Sequence, residues 1–285
     1  MKISEILANN ESGVCFEFFP PRTPKSQQRL METIQALKKY NPLYTSMTCG
    51  AGGTTQDKTE EAALLLKERD LTVMPHLTCL GSSQQSLEEI LKNYQAKGIE
   101  NIMALRGDPL KEDSGLNSQA EGFNHAVDLV RLIRQKTDFC IGVAVYPEGH
   151  IESGFIEEDL THTQEKIDAG ASFGVTQMFF DNAYYFQFLE RIKKRGIRIP
   201  ILPGILPLTD IAKVKEFAAI CRTTIPKYIR EKMEKLENNP QDMEKAGIDF
   251  TIQQCRSLKN NGFEKIHFFT LNKPKVLTAI LDAIK

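Results

Sequence analysis

The amino-acid sequence predicts an α/β protein, folded as a (β/α)8 TIM barrel with extra helices between strands 7 and 8. Short apolar runs alternate with segments of helical periodicity at intervals of about thirty residues. Continuous apolar runs are typical of parallel strands buried on both faces. A length of 285 residues without a linker or a shift in composition suits one barrel domain over residues 1–285. An open doubly wound sheet is the alternative, but no GxGxxG motif follows the first run.

The predicted strands are apolar runs that end at proline, glycine or polar residues. The first begins at Val14 and stops at Pro20 and Pro21, and the seventh is interrupted by Pro203 and Gly204. The strands after the first cover residues 43–48, 71–78, 101–105, 139–146, 173–180, 199–206 and 265–270.

The predicted helices have apolar residues at helical spacing. Ser82 or Ser83 can cap the helix that carries Leu87, and the polar segment 111–118 is predicted to be a loop. The helices fall at 3–10, 25–40, 55–69, after 83, from 126 to beyond 133, 156–169, 185–194, 211–220, twice between 226 and 258, and at 273–284.

Composition excludes several functional classes. A formal net charge of −1 gives no basic field for nucleic acid or an anionic membrane. No apolar run has the roughly 18–20 residues of a membrane span, and the first residues have no apolar signal segment. The six cysteines and five histidines form no CxxC or HExxH motif, so no metal site is predicted. A cytoplasmic protein with reduced thiols is expected.

The first strand contains one acid, Glu17, between Phe16 and Phe18. A carboxyl group in apolar surroundings has a raised pKa, because burial disfavours its charged form. It can then hold a proton near neutral pH and act as a general acid. The alternative is an ion pair with Arg22 or another cation.

Polar residues stand at the predicted carboxyl ends of the strands, where barrel enzymes have their active sites. Each has a structural alternative: His76 can be a core histidine, Gln177 part of a core network, Asp181 a helix cap, and Arg106 a salt-bridge partner of Asp108. Their convergence on one mouth favours a binding site. These residues are Glu17, Thr48, His76, Arg106, Asp108, Tyr146, His150, Gln177 and Asp181.

Several motifs resemble the flavin-dependent 5,10-methylenetetrahydrofolate reductases. They are FEFFPPRT (16–23), TCGAGG (48–53), PHLTC (75–79), ALRGDP (104–109), YPEGH (146–150), DAGA (168–171), TQMFFD (176–181), PGILP (203–207) and FFTLN (268–272). The resemblance implies an FAD-containing homo-oligomeric barrel. It implies ping-pong reduction of 5,10-methylenetetrahydrofolate to 5-methyltetrahydrofolate by NADH or NADPH, which supplies methionine synthesis.

The resemblance also implies residue roles. Glu17 matches the general acid, and Asp108 matches a carboxylate beside flavin and folate. Gln177 matches an amide that contacts both substrates. Phe217 matches an aromatic residue of the shared substrate face. Lys213 and Lys273 stand at folate-contacting positions. The cofactor-binding positions are Thr48, Ala51, His76, Arg106, Gly107, Asp108, Ala126, Tyr146, His150, Asp159 and Lys166.

The sequence departs from the family pattern in ways that bear on affinity, at Cys49, His125, His162 and Glu165, and at Lys213 and Lys273, where some members have Gln and Arg. Three alternative functions stay open. One is a reductase of the same family that takes electrons from a protein partner. The second is a folate-binding barrel methyltransferase, which would need a thiolate zinc site. The third is a non-catalytic barrel that stores folate or flavin.

Overall fold

A computed structural model describes residues 1–50, 56–108 and 123–285. Its strands form one parallel sheet in the order β7-β6-β5-β4-β3-β2-β1-β9-β8. β7 and β8 are the two halves of the predicted seventh strand, separated by Pro203. β7 pairs with β6 and β8 pairs with β9, so the ring closes around this residue. The predicted eight-stranded barrel is confirmed. The strands are β1 (Gly13–Phe18), β2 (Tyr44–Met47), β3 (Val73–Thr78), β4 (Asn101–Leu105), β5 (Cys140–Val145), β6 (Phe173–Thr176), β7 (Ile201–Leu202), β8 (Gly204–Ile205) and β9 (Lys265–Phe269).

Helices surround the barrel, and three of them lie between β8 and β9 as predicted. Ser83 caps the fourth helix, since its side chain accepts a hydrogen bond from the backbone N–H of Ser86. The predicted loop 111–118 lies outside the described residues. The helices are α1 (Ile3–Asn9), α2 (Pro24–Lys38), α3 (Gln56–Lys67), α4 (Gln84–Ala96), α5 (Ala126–Lys136), α6 (Ile156–Asp168), α7 (Asn182–Lys194), α8 (Ile211–Cys221), α9 (Lys227–Glu234), α10 (Pro240–Asn260) and α11 (Pro274–Ala283).

Successive side chains of each strand point in opposite directions, one into the barrel interior and the next toward the surrounding helices. On β1, Cys15 packs inside the barrel with Tyr44 and residues of the other strands. Phe16 and Phe18 pack outward, in a core shared with the surrounding helices. Glu17 has the same parity as Cys15, so its side chain belongs to the interior.

The sixth strand is shorter than predicted, since it ends at Thr176. The apolar residues that follow are buried, but they pack against helices: Phe179 stacks on Tyr185 of α7, with ring centroids 5.3 Å apart. Burial outside a sheet produces the same apolar pattern as a buried strand.

In the described part of the chain, no helix combines the length and the apolar character needed to cross a bilayer.

Candidate active site

A cleft of about 350 Å³ opens at the carboxyl ends of the strands. Glu17 enters it from β1, and Asp108 enters it from the turn after β4. The two residues are far apart in sequence, and the closed barrel brings them to one mouth. The predicted site residues that line this cleft are Glu17, His76, Arg106, Gly107, Asp108, Tyr146, His150, Gln177 and Phe217.

A second pocket, of about 280 Å³, shares Arg106, Tyr146 and His150 with the cleft. It lies beside α5 and α6 and contains three further predicted cofactor residues, Ala126, Asp159 and Lys166. His125, His162 and Glu165, where the sequence departs from the family pattern, also line it. The two pockets are therefore neighbours, and together they are called the groove below.

Three predicted residues do not line this groove, and one lies outside the described residues. Thr48 is half-buried just before the lining residues Cys49 and Gly50. The side chain of Lys213 is 62% exposed, with its ammonium 3.6 Å from Asp210. The ammonium of Lys273 contacts the hydroxyl of Thr209 at 3.3 Å. Ala51 is the residue outside the described range.

The electrostatic setting of Glu17 differs from the sequence-based expectation. Its Oε2 lies 3.4 Å from Nε2 of His76 and 3.5 Å from Nε2 of His267. Burial raises the pKa of the Glu17 carboxyl, but the charge of His76 and the hydrogen bond and charge of His267 together lower it below its ordinary value. The predicted raised pKa is therefore wrong for the ligand-free cleft.

The reason for this error is the alternation of side chains along β1. Phe16 and Phe18 point away from Glu17, so they do not form its surroundings. Histidines from β3 and β9 form its surroundings, and the ion-pair contacts of Glu17 are with them and not with Arg22. Sequence reasoning missed His267. The available signal was its place between Ile266 and Phe268, whose side chains pack outward against the helices.

Arg106 pairs with Glu152, which contradicts the alternative of an Arg106–Asp108 salt bridge. Both guanidinium ends contact the two carboxylate oxygens, with Nη2 to Oε1 at 2.7 Å. This hydrogen bonding raises the pKa of Arg106 and lowers that of Glu152.

Gly107 has a φ of +85°, and an added Cβ there would lie 2.9 Å from the Cβ of Thr78. Glycine thus permits the tight turn that brings Asp108 to the cleft.

Asp159 and Lys166 carry buried charges in the side pocket. The ammonium of Lys166 donates to the carbonyl of Ala144 at 2.6 Å, and its nitrogen lies 5.8 Å from the ring centre of Tyr146. Burial lowers the pKa of Lys166 to about 8 and raises that of Asp159. Oδ2 of Asp159 is buried and has no hydrogen-bond partner within the described residues. The unsatisfied carboxylate oxygen can accept a hydrogen bond from a ligand hydroxyl, and the desolvated ammonium can pair with a ligand anion.

Asp181 and Gln177, which both follow β6, have different roles in the structure. Asp181 caps α7, because its side chain accepts a hydrogen bond from the N–H of Ala183 at 2.9 Å. Gln177 lines the cleft, and its Oε1 accepts a hydrogen bond from the N–H of Met178 at 2.9 Å. Its amide orientation is therefore held by the backbone beside the cleft.

Comparison with known protein families decides the class. The family profile described as "Methylenetetrahydrofolate reductase" matches residues 2–285. The chain belongs to this family. Similar members include the 5,10-methylenetetrahydrofolate reductase of Pectobacterium carotovorum, 37% identical over 95% of this chain and 90% of that protein. The Escherichia coli protein of the same name is 36% identical over the same shares. Methylenetetrahydrofolate reductase 1 of Schizosaccharomyces pombe is 33% identical over 100% of this chain and 48% of its own length.

Solved structures support the barrel of this methylenetetrahydrofolate reductase family member. A Clostridium thermocellum protein described as binding two copies of 5-methyl-5,6,7,8-tetrahydrofolic acid superposes with a TM-score of 0.67. The two share 14% sequence identity over 99% of this chain and 98% of the other. At this identity the similarity establishes the fold alone.

Among residues 1–50, 56–108 and 123–285 there is no group of three or more His, Cys, Asp or Glu side chains that could hold a metal ion. The methyltransferase alternative therefore has no thiolate zinc site in this part of the chain.

Proposed function

We propose that this family member reduces 5,10-methylenetetrahydrofolate to 5-methyltetrahydrofolate with FAD in its groove and NADH or NADPH as donor, by a ping-pong mechanism. The observation that carries the proposal is that Glu17 and Asp108 line one cleft, which shares Arg106, Tyr146 and His150 with a pocket containing the buried Lys166. A barrel of the same fold is described as binding 5-methyl-5,6,7,8-tetrahydrofolic acid, which supports a folate as ligand of such a barrel.

The side pocket suits the dinucleotide part of FAD. Lys166 and Arg106 would bring positive charge to the diphosphate, and the unsatisfied oxygen of Asp159 would accept hydrogen bonds from sugar hydroxyls. Tyr146 and His150 meet edge to face, with ring centroids 4.7 Å apart, where the pocket joins the cleft. Bound FAD supplies the hydride carrier that links nicotinamide to folate. The proposed cofactor-binding set is Thr48, Ala51, His76, Arg106, Gly107, Asp108, Ala126, Tyr146, His150, Asp159 and Lys166.

Glu17 is proposed to donate the proton that opens the five-membered ring of the folate at N10. The lowered pKa makes Glu17 a carboxylate in the open cleft at neutral pH. Ligands that displace water raise the pKa of a buried carboxyl, so the acid takes up its proton as folate binds. The carboxylate of Asp108 would then favour the iminium cation that ring opening produces.

Four further residues are proposed to bind substrate besides Glu17. Gln177 and Phe217 line the cleft and can contact either substrate in turn. Lys213 and Lys273 lie outside the cleft lining and carry charge that can meet an anionic glutamate tail.

The first test is spectroscopic. The purified protein should be yellow, or become yellow with added FAD, and NADH or NADPH should bleach it without oxygen. A protein that stays colourless after reconstitution with FAD would refute the proposal. Comparing the rate of bleaching by each nicotinamide identifies the donor. Slow bleaching by both would favour the protein-partner alternative.

The second test addresses the acid. Glu17→Gln should leave flavin reduction by the nicotinamide at the wild-type rate and slow reoxidation by methylenetetrahydrofolate about 10²–10⁴-fold. Menadione, which accepts electrons without needing a proton at N10, is the control acceptor and should restore turnover in the variant. Unchanged reoxidation by folate would remove the assigned role of Glu17.

Three broader features are proposed from the sequence. Residues 1–285 form one catalytic domain, the chains assemble into a homo-oligomer, and the enzyme works in the cytoplasm to supply methyl groups for methionine. A single thermal unfolding transition and a sedimentation mass above one chain would support the first two. Restoration of methionine-independent growth in a bacterium that lacks this reductase would support the third.

A further inference from the structure

His267 lies inside the barrel with no exposed surface, one strand away from Glu17. Its Nδ1 is 3.0 Å from the hydroxyl of Tyr44, which is also fully buried. Its Nε2 is 3.5 Å from Oε2 of Glu17 and has no closer polar partner in the described part of the chain. Tyr44, His267 and Glu17 thus form a continuous chain from the barrel interior to the cleft.

The two histidines beside Glu17 differ in access. His76 lines the cleft, so ligands can contact it. His267 is not among the residues that line the cleft, and an effect of its imidazole on substrate must pass through Glu17. It is therefore a candidate for a positioning residue. The tautomer of a histidine is set by the hydrogen bond at its second nitrogen, and here the hydroxyl of Tyr44 occupies that nitrogen.

We infer that His267, held by Tyr44, sets the pH range over which Glu17 carries the proton it gives to folate. The inference rests on the proposed function for its catalytic consequence and on geometry alone for the pairing itself.

Other titratable side chains lie close to Tyr44, His267 and Glu17. Tyr44 also faces Cys15 on β1 and Cys140 on β5. Burial raises the pKa of Tyr44 and of Cys15 well above neutrality, so both stay protonated. The remaining titratable groups at this point of the barrel are Glu17 and its two histidine neighbours, one from β3 and one from β9.

The direction of the effect follows from charge. The imidazole of His267, as a donor 3.5 Å from Oε2 and as a cation when protonated, favours the carboxylate form of Glu17. Without that imidazole, burial dominates more strongly and the pKa of Glu17 rises. Folate reduction, which needs protonated Glu17, would then persist to higher pH.

The kinetic test uses His267→Leu and Tyr44→Phe in the FAD-loaded enzyme. In His267→Leu, the pH at which the rate of folate reduction falls should increase by about 1–2 units. This shift corresponds to the free energy of one hydrogen bond to a charged group. Tyr44→Phe, which keeps the ring and the fold, should move it the same way by less. Flavin reduction by the nicotinamide should keep its pH profile in both. Tyr40→Phe, which removes a hydroxyl bonded to Asp282, is the matched control.

A second readout needs no turnover. Nitrogen NMR of the imidazoles should show the titration of His267 at lower pH in Glu17→Gln than in wild type, because the neighbouring negative charge is gone. An identical titration in both proteins overturns the pairing. A pH profile of folate reduction that stays in place in both His267→Leu and Tyr44→Phe overturns the effect on catalysis. Absence of folate reduction in wild type would refute the proposed function, while the NMR titration would still decide the pairing.

Discussion

Replacing the buried charges of the side pocket with neutral groups should stabilise the flavin-free protein. The change is Asp159→Asn together with Lys166→Met. Lys166 is 8% exposed and Asp159 is 4% exposed, and the ammonium contacts the carbonyl of Ala144. Isolated or imperfectly paired buried charges are penalised by lost hydration, so apolar replacements of similar volume often raise stability.

The expected gain in the free energy of unfolding follows from the pKa of Lys166, which falls from 10.5 to about 8. This difference corresponds to about 3 kcal/mol at 1.36 kcal/mol per pH unit, and it is an upper value because some packing is lost. We expect a net gain of about 2 kcal/mol at pH 7, which raises Tm by roughly 3–4 °C in a chain of this size.

The pH dependence gives the sign of the effect independently. Between pH 8 and 10.5 the unfolded chain binds a proton at Lys166 that the folded protein has lost, so wild-type stability rises with pH in this window. The advantage of the variant should therefore be largest below pH 8 and should shrink as pH approaches 10.5.

The assay is thermal and denaturant unfolding of flavin-free wild type and variant from pH 6.5 to 10. The control is Glu88→Gln with Lys136→Met, a surface pair with side chains 22% and 47% exposed, which should change Tm little. Added FAD should raise the Tm of wild type and not of the variant. The expected gain in stability means that the charges of Asp159 and Lys166 cost stability in the flavin-free protein. A variant less stable than wild type at pH 7 would refute this.

Two further predictions concern the turn at Asp108 and the proton of Glu17. Gly107→Ala should destabilise the protein by about 1–3 kcal/mol and weaken FAD binding, because strain at positive φ is joined by contact with Thr78. Gly262 has a φ of +86°, but no atom lies within 4 Å of an added Cβ. The control Gly262→Ala should therefore lose less stability and keep its FAD affinity when both variants are titrated with FAD. Calorimetry of folate binding in two buffers of different ionisation enthalpy should show uptake of up to one proton in wild type and none in Glu17→Gln. Equal proton uptake in both would assign the proton to another group.

Local periodicity was sufficient to predict the barrel. Apolar runs and helical spacing depend on neighbouring residues, so the order of strands and helices and the interruption at Pro203 followed from the chain alone. The end of β6 did not follow, because the residues after Thr176 are buried by helices whose placement is not visible in that segment. Short motifs likewise predicted which side chains meet at the mouth, since parallel strands present their carboxyl ends on one side.

What surrounds each polar group depends on contacts between distant segments. Arg106 pairs with Glu152 rather than with Asp108, because the loop after β5 folds over the turn after β4. Lys213 and Lys273 hold partners away from the cleft lining.

The order of residues by itself determined the parallel barrel, the family and the identity of the acid on the first strand, because these depend on local patterns and motifs. Only the closed tertiary structure decided the charge state of that acid. Ring closure places β9 beside β1, so His267 meets Glu17 from the far end of the chain and His76 meets it from β3. Electrostatic interactions act through space over a few ångströms, and that distance exists only after the strands have paired.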